Sequence, residues 1–123
     1  MTNQEIFDDL GEMGTLMMLF LEMATADGEC SKEELETIFE SAANFTDQNV
    51  EQFLRNAIRV AKTLSFEDRV SYLNVGLEFF SEKFSAEMKK SILNELAKIA
   101  HSDGTIHDNE SSLYKMAVRR FTA

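Results

Sequence analysis

The chain has 123 residues, a formal net charge of −10 and a single cysteine, Cys30. This length is typical of one fold, and we expect residues 1–123 to form a single domain with its own core. One cysteine excludes an internal disulfide. The longest apolar run, Leu16 to Leu21, is six residues, whereas a membrane span needs about 20. The N-terminus is acidic where a signal peptide is basic, so the sequence predicts a cytoplasmic protein.

Charge is unevenly distributed along the chain. Residues 1–54 hold 13 acidic side chains and one basic side chain, Lys32, whereas residues 55–123 hold 9 acidic and 11 basic ones. The negative balance argues against nucleic acid as a partner, because phosphate binding needs a basic surface. An acidic half attracts cations or basic proteins. A solvated surface without any partner explains the same charge pattern.

Apolar residues recur at intervals of three and four along most of the chain, which is the pattern of amphipathic helices. We predict seven helices, over residues 3–10, 14–27, 32–44, 48–63, 66–82, 86–102 and 108–121. Gly11 and Gly14 are expected to separate the first two. The N-caps of the third to sixth helices are predicted at Ser31, at Thr46 or Asp47, at Ser65 and at Ser85.

The second predicted helix contains the run Leu16 to Leu21, which is apolar on every side. A helix of this kind in a water-soluble protein belongs at the centre, with the other helices packed around it. The 10 Phe and 7 Met residues, most at helical spacing, are expected in the core. The sequence therefore predicts an all-α fold, a compact bundle of about seven helices around one central apolar helix.

One short motif occurs twice, 76 residues apart: 24-ATADGECSKEE-34 aligns with 100-AHSDGTIHDNE-110. Four identities carry the alignment: Ala24 with Ala100, Asp27 with Asp103, Gly28 with Gly104, and Glu34 with Glu110. Each copy is typical of a helix end, an Asp-Gly turn and a Glu in the first turn of the next helix. Ser31 and Glu34 also have the spacing of a capping box. In the second copy His107 takes the cap position, so capping does not explain Glu110.

The two Asp residues of the motif point to a cation. A carboxylate at a helix C-terminus opposes the macrodipole, at a cost of roughly 0.3–1 kcal/mol when exposed. The same placement in both copies, with a Glu seven residues on, suggests a compensating ion or donor. The register matches part of an EF-hand loop, but Met23 and Thr25 occupy two positions that need oxygen ligands. Calcium takes six to eight oxygens, so we do not expect an EF-hand.

The duplicated motif resembles the tellurite-resistance TerB-like family, over about residues 14–121. The first copy, MATADGECSKEELETIF, carries most of the resemblance. What the resemblance implies is a compact bundle of about seven helices with pseudo-two-fold symmetry. It also implies metal chelation by the acidic positions Asp27, Glu34, Asp103 and Glu110. Members act in bacterial stress and tellurite resistance, as cytoplasmic adaptors near membrane-embedded Ter components, so a protein partner of that type is expected.

Several alternatives remain open at the level of sequence. Two pairings of the carboxylates fit the repeat: within each turn, or Asp27 with Glu110 and Asp103 with Glu34 across the pseudo-symmetry. Such a set suits Mg²⁺, Ca²⁺ or Mn²⁺ better than zinc, which prefers sulfur and imidazole. No Glu-x-x-His pair of a di-metal bundle precedes either histidine, and we expect no enzyme activity. The competing interpretation is a metal-free helical interaction module with an acidic surface.

Overall fold

Six helices form the secondary structure of the residues described in a computed structural model of the chain. These residues are 2–24, 32–46, 49–100 and 108–122, without the side chains of 108–111. The helices are α1 (Asn3–Ala24), α2 (Lys32–Ala43), α3 (Val50–Ala61), α4 (Phe66–Lys83), α5 (Ala86–Ala100) and α6 (Asp108–Phe121). The all-α prediction is confirmed, and within these residues there is no strand.

Apart from the break predicted between residues 10 and 14, the predicted helix ends agree with the observed ones to within one or two residues wherever both are described. The Ser65 hydroxyl accepts from the Asp68 amide at 3.1 Å, and the Ser85 hydroxyl accepts from the Met88 amide at 3.2 Å. Both predicted caps are therefore confirmed. The cap of α3 was predicted wrongly, because Asn49 accepts from the Glu51 amide at 3.1 Å and starts the helix later than Thr46 or Asp47 would. Ser31 lies outside the described residues.

Helix α1 lies at the centre and packs against all five other helices. Every residue from Leu16 to Leu21 is buried, with exposed fractions between 0% and 8%. The prediction of a central apolar helix is thus confirmed. The core is completed by inward faces of the surrounding helices, including Ile38, Leu54, Leu73 and Ile92.

A kink at Gly11 bends α1. Its backbone has φ +70° and ψ −175°, a region that is essentially restricted to glycine. Gly14 is helical and buried, and a Cβ there would lie 3.0 Å from the Leu10 Cβ. The expected two-glycine break is therefore one kink at Gly11. For this reason the described residues form six helices, the first of them bent, where about seven were predicted.

A buried hydroxyl joins this kink to α4. Thr15 Oγ1 donates to the Gly11 carbonyl at 2.7 Å. A hydroxyl has one proton, so the Tyr72 hydroxyl donates to Thr15 Oγ1, at 2.5 Å. Thr15 is 0% and Tyr72 1% exposed. One turn after Tyr72, a Cβ at Gly76 would lie 3.0 Å from Thr15 Cγ2, so glycine at this position lets α1 and α4 approach closely.

The residues before the kink, 3–10, form a segment that we call the strap. Thr2 and Glu5 cap it reciprocally, and hydrogen bonds from the Thr2 amide and hydroxyl hold the pKa of Glu5 below its usual range. Ile6 and Leu10 are 1% and 4% exposed. The strap therefore contributes to the core and is not a loose extension of α1.

Two phenylalanines expected in apolar stripes are exposed instead. Phe39 on α2 is 37% exposed, and Phe66, the first residue of α4, is 51% exposed. The Arg69 guanidinium lies 5.8 Å from the centre of the Phe66 ring. The first helical turn lies at the edge of the bundle, where a cation covers the ring instead of core side chains. Other Phe residues, such as Phe20 and Phe80, are buried as predicted.

Removal of the Tyr72 hydroxyl tests the buried hydrogen bond. We expect Tyr72→Phe to lower the free energy of unfolding by about 0.5–1.5 kcal/mol, the net value of one hydrogen bond, since Thr15 keeps Gly11 as its acceptor. Urea unfolding measures the change. Tyr114→Phe, at a half-buried tyrosine of α6, is the matched control. Equal effects of the two variants would contradict the account.

The same tyrosine predicts an alkaline dependence of stability. Burial raises the pKa of the Tyr72 hydroxyl above its ordinary value, whereas tyrosine in the unfolded chain ionises near about 10. As pH rises above that value, the unfolded chain loses its proton first and the folded chain is destabilised. The difference in unfolding free energy between wild type and Tyr72→Phe should therefore shrink from pH 9 to pH 11 in urea titrations. A constant difference would contradict this prediction.

Candidate functional site

Two pairs of helices flank the duplicated motif. The first copy connects α1, which ends at Ala24, to α2, which starts at Lys32, and the second connects Ala100 of α5 to Asp108 of α6. Helix α1 packs against α2, and α5 packs against α6. Across the repeat, α1 also packs against α5 and α6, and α2 against α5. The helices that flank the two copies of the motif thus belong to one packed unit.

Burial follows the repeat in α1 and α5. Four pairs of apolar residues 76 positions apart are buried in both copies: Leu16 and Ile92, Phe20 and Leu96, Met23 and Ile99, Ala24 and Ala100. In the second helix of each copy, Ser41 and Ala117 are also buried. The equivalence is looser there, since Ile38 is buried and Tyr114 only half-buried. This pattern supports the pseudo-two-fold repeat, in which a buried helix end precedes each copy of the Asp-Gly motif.

The four predicted ligands are not equally described. Asp27 and Asp103 lie outside the described residues. Glu110 is in the first turn of α6, and its side chain lies outside the described part of the chain. Glu34 is described fully: it lies in the first turn of α2 and is 6% exposed. Its placement relative to the other three carboxylates is therefore still a prediction.

Glu34 points toward the interior of the bundle. Its neighbours Lys32 and Glu33 are exposed, whereas Glu34 and Ile38, one turn apart, are buried. The N-terminal end of a helix stabilises a carboxylate through the helix dipole. Burial has the opposite effect, because removing a charge from water is unfavourable. The fold thus holds one of the four predicted ligand positions on the core side of α2, at the end of the helix next to the first turn.

A second buried carboxylate, Glu22, forms an ion pair that was not predicted from the sequence. Arg69 Nε donates to Glu22 Oε2 at 2.9 Å, and Arg69 Nη1 donates to the Leu64 carbonyl at 2.9 Å. The Glu22 side chain is 10% exposed, and the Arg69 side chain is 24% exposed. The available signal was the position of Glu22 immediately after the all-apolar run, which places it on a helix buried on every side.

The third carboxylate on the core side, Glu95, lies beside a surface pocket. It accepts from Asn44 Nδ2 at 3.0 Å and from Lys98 Nζ at 3.2 Å. The pocket has a volume of about 650 Å³ and is lined by Asn44, Phe45, Met88, Ser91, Asn94, Glu95, Ala97 and Lys98. Glu95 stands three and four residues from Ile92 and Ile99, within the apolar stripe, and that position was the signal for its burial.

The outward face of α2 carries a row of acidic residues. Glu33, Glu36 and Glu40 are exposed, with Phe39 beside them. Within the part of the chain that the structure describes, none of the three forms an ion pair, whereas Asp9, Glu12, Glu22, Glu51 and Glu95 each do. Part of the predicted acidic surface is therefore concentrated on one helix.

The described residues contain neither a metal-ligand cluster nor a membrane-spanning helix. No group of three or more His, Cys, Asp and Glu side chains with a geometry suited to a metal occurs among them. Nor is any helix of the described ranges both long and apolar enough to cross a membrane.

Comparison with known families gives one match. The model of the family described as tellurite resistance protein TerB matches residues 14–122, which is nearly the whole chain and includes both motifs. No curated protein and no solved structure matches the chain significantly. The strap and Gly11 precede the matched region.

The Glu22–Arg69 pair can be tested against an exposed pair of the same type. We expect Arg69→Ala to lower the free energy of unfolding by about 1.5–3 kcal/mol, because it leaves a buried carboxylate without its charged donor. Arg55→Ala removes an exposed pair with Glu51 and should cost no more than about 0.5 kcal/mol. Urea unfolding of both variants measures the difference. Similar losses would contradict the assigned burial of Glu22.

Proposed function

The chain belongs to the TerB tellurite-resistance family, and we propose that it is a bacterial stress-response adaptor domain that binds a divalent cation at its two Asp-Gly turns. The proposed ligands are the carboxylates of Asp27, Glu34, Asp103 and Glu110. Mg²⁺, Ca²⁺ and Mn²⁺ are the ions that best suit oxygen ligands of this kind. The domain acts by binding, without enzyme activity of its own.

The observation that carries this proposal is the burial of Glu34. It is 6% exposed in the first turn of α2, seven residues after Asp27 in the first motif. A solubilising acidic residue would face water like Glu33, which is exposed. A carboxylate on the core side, next to an acidic turn, fits a hard cation, whose attraction is strongest where water is excluded.

The repeat extends the proposal to the second turn. Helices α1 and α5 end in equivalent buried residues and pack against each other. Carboxylates contributed by both copies would satisfy more of an ion's coordination than those of one turn alone. Bound at this position, the cation would neutralise the carboxylates and fix the two turns relative to each other. The turns would then present a fixed surface to a partner.

The partner that we propose is a protein of the membrane-embedded Ter type, met from the cytoplasmic side. The support is the family together with the charge of residues 1–54, which hold 13 acidic side chains and one basic one. Such a surface selects a basic partner and speeds the encounter with it. Nucleic acid is not proposed, because its phosphates would be repelled.

Thermal melting with added ions tests the cation site. In chelated protein we expect a saturable rise in melting temperature with Mg²⁺, Ca²⁺ or Mn²⁺. An ion at about 100 times its dissociation constant contributes about 2.7 kcal/mol, a rise on the order of 10 °C for a chain of this size. The Asp27→Asn/Asp103→Asn variant should lose the rise.

The matched control is Glu36→Gln/Glu40→Gln, which removes the same charge from the exposed face of α2. It should melt with the same ion dependence as wild type. An equal loss in both variants would mean diffuse attraction of cations by the acidic surface. The absence of any ion-dependent rise would contradict the cation site.

A metal-free interaction module is the second candidate, favoured by the outward face of α2. Glu33, Glu36 and Glu40 are exposed there together with Phe39, a combination of charge and apolar area that fits a basic amphipathic segment. The two candidates differ in one property. Chelation lowers the melting temperature of a metal-linked adaptor and leaves that of a metal-free module unchanged.

A further inference from the structure

The strap, residues 3–10, lies against α3 and α4 and is held by contacts of three kinds. Asp9 receives both hydrogen bonds from Arg59 Nη2, at 2.9 Å each, and its carbonyl accepts from Asn56 Nδ2 at 3.2 Å. The Phe7 ring meets Phe79 of α4 edge to face, with centroids 5.1 Å apart. Ile6 and Leu10 are almost fully buried.

The strap covers a surface of α3 and α4 that includes Asn56, Arg59 and Phe79, and we call this surface the groove. Its occupant is a short amphipathic helix with apolar side chains at Ile6, Phe7 and Leu10 and a carboxylate at Asp9. In the groove, Arg59 of α3 donates to the Asp9 carboxylate, and the Phe79 ring of α4 contacts the Phe7 ring. This is the arrangement by which helical peptides bind in grooves, with anchors one turn apart.

The bend at Gly11 places the strap on α3 and α4 of its own chain. Gly11 has φ +70° and ψ −175°, and nothing lies within 4 Å of the Cβ that another residue would add there. The bend is therefore a backbone property of glycine and is not imposed by crowding. Just beyond it, Glu12 is tied to Lys83 of α4 at 2.7 Å, through side chains that are 33% and 54% exposed.

We propose that the groove between α3 and α4 is an interface between two copies of this chain, in which each copy receives the strap of the other. In the closed form Gly11 is bent and the strap lies on its own α3 and α4. In the exchanged form Gly11 adopts helical angles, α1 runs straight through residue 11, and the strap extends to the second copy. The strap makes the same contacts in the closed and exchanged forms, so the conformation of Gly11 determines the equilibrium between the two forms.

The second copy is favoured as occupant because its strap has the required pattern without change. The apolar anchors, the carboxylate for Arg59 and the capping pair Thr2 and Glu5 are all present in it. A straight α1 also gains backbone hydrogen bonds across residue 11, since continuous helix satisfies donors that a bend leaves to other partners. This inference is independent of the proposed cation site.

A charge-swap experiment on the full chain tests the exchange. One chain carries Asp9→Arg and the other Arg59→Asp, so that each alone places like charges between its strap and its groove. When the two are mixed, each strap is complementary to the groove of the other chain. Light scattering after size-exclusion chromatography should show that the mass doubles only in the mixture, as a one-to-one heterodimer. Native mass spectrometry identifies its composition.

The control pair is Glu51→Arg mixed with Arg55→Glu. These residues form an exposed pair within α3, so the same charge changes cannot drive an exchange, and the mixture should stay monomeric. Dimers in this control, or a monomeric Asp9→Arg and Arg59→Asp mixture whose chains retain helical circular dichroism, would overturn the proposal.

Gly11→Ala gives a second readout if a charge-swapped chain fails to fold. Alanine disfavours the bent form and favours straight helix, so the variant should dimerise at concentrations at which the wild-type chain is monomeric. Adding Leu10→Ser should abolish that dimer. A Gly11→Ala chain that stays monomeric and keeps wild-type helical circular dichroism would mean that straightening α1 at residue 11 does not release the strap to a second copy. That result would overturn the exchange between copies.

Discussion

The buried hydroxyl of Thr15 joins the features on which this fold depends. It donates to the Gly11 carbonyl and accepts from Tyr72 of α4, so it fixes the bend of α1 against the helix that packs beside it. Gly76 leaves the room that this approach requires. The close packing of α1 on α4 just beyond the kink follows from these few contacts.

The fold was largely predictable because apolar periodicity is a local signal. Leu16 to Leu21 are apolar on all sides and became the central helix, and Ser65 and Ser85 cap the helices that follow them. Two errors have a common origin in tertiary context. Gly14 is of a residue type that often ends helices, yet it lies within α1. Phe66 has the spacing of a core residue, yet it lies at the edge of the bundle. No periodic pattern distinguishes these cases.

The site was predictable only in part. Duplication of the Asp-Gly motif identified the turns, and the family match over residues 14–122 agrees with the resemblance. Of the four acidic positions, Glu34 is the one whose burial is described; the convergence of the four carboxylates is still a prediction. Glu22 and Glu95 lay in the apolar stripes and were missed, because a partner such as Arg69 or Asn44, about 50 residues away along the chain, leaves no local pattern.

The central functional claim is that a cation lies between the two turns and not over the acidic face of α2. Paramagnetic broadening by Mn²⁺, read from amide signals of the full chain, tests it most directly. We expect saturable broadening centred on residues 27–34 and 103–110 at substoichiometric Mn²⁺, reversed by excess Mg²⁺ or Ca²⁺. Broadening that follows Glu36 and Glu40 instead, or that grows without saturation over all acidic residues, would contradict it.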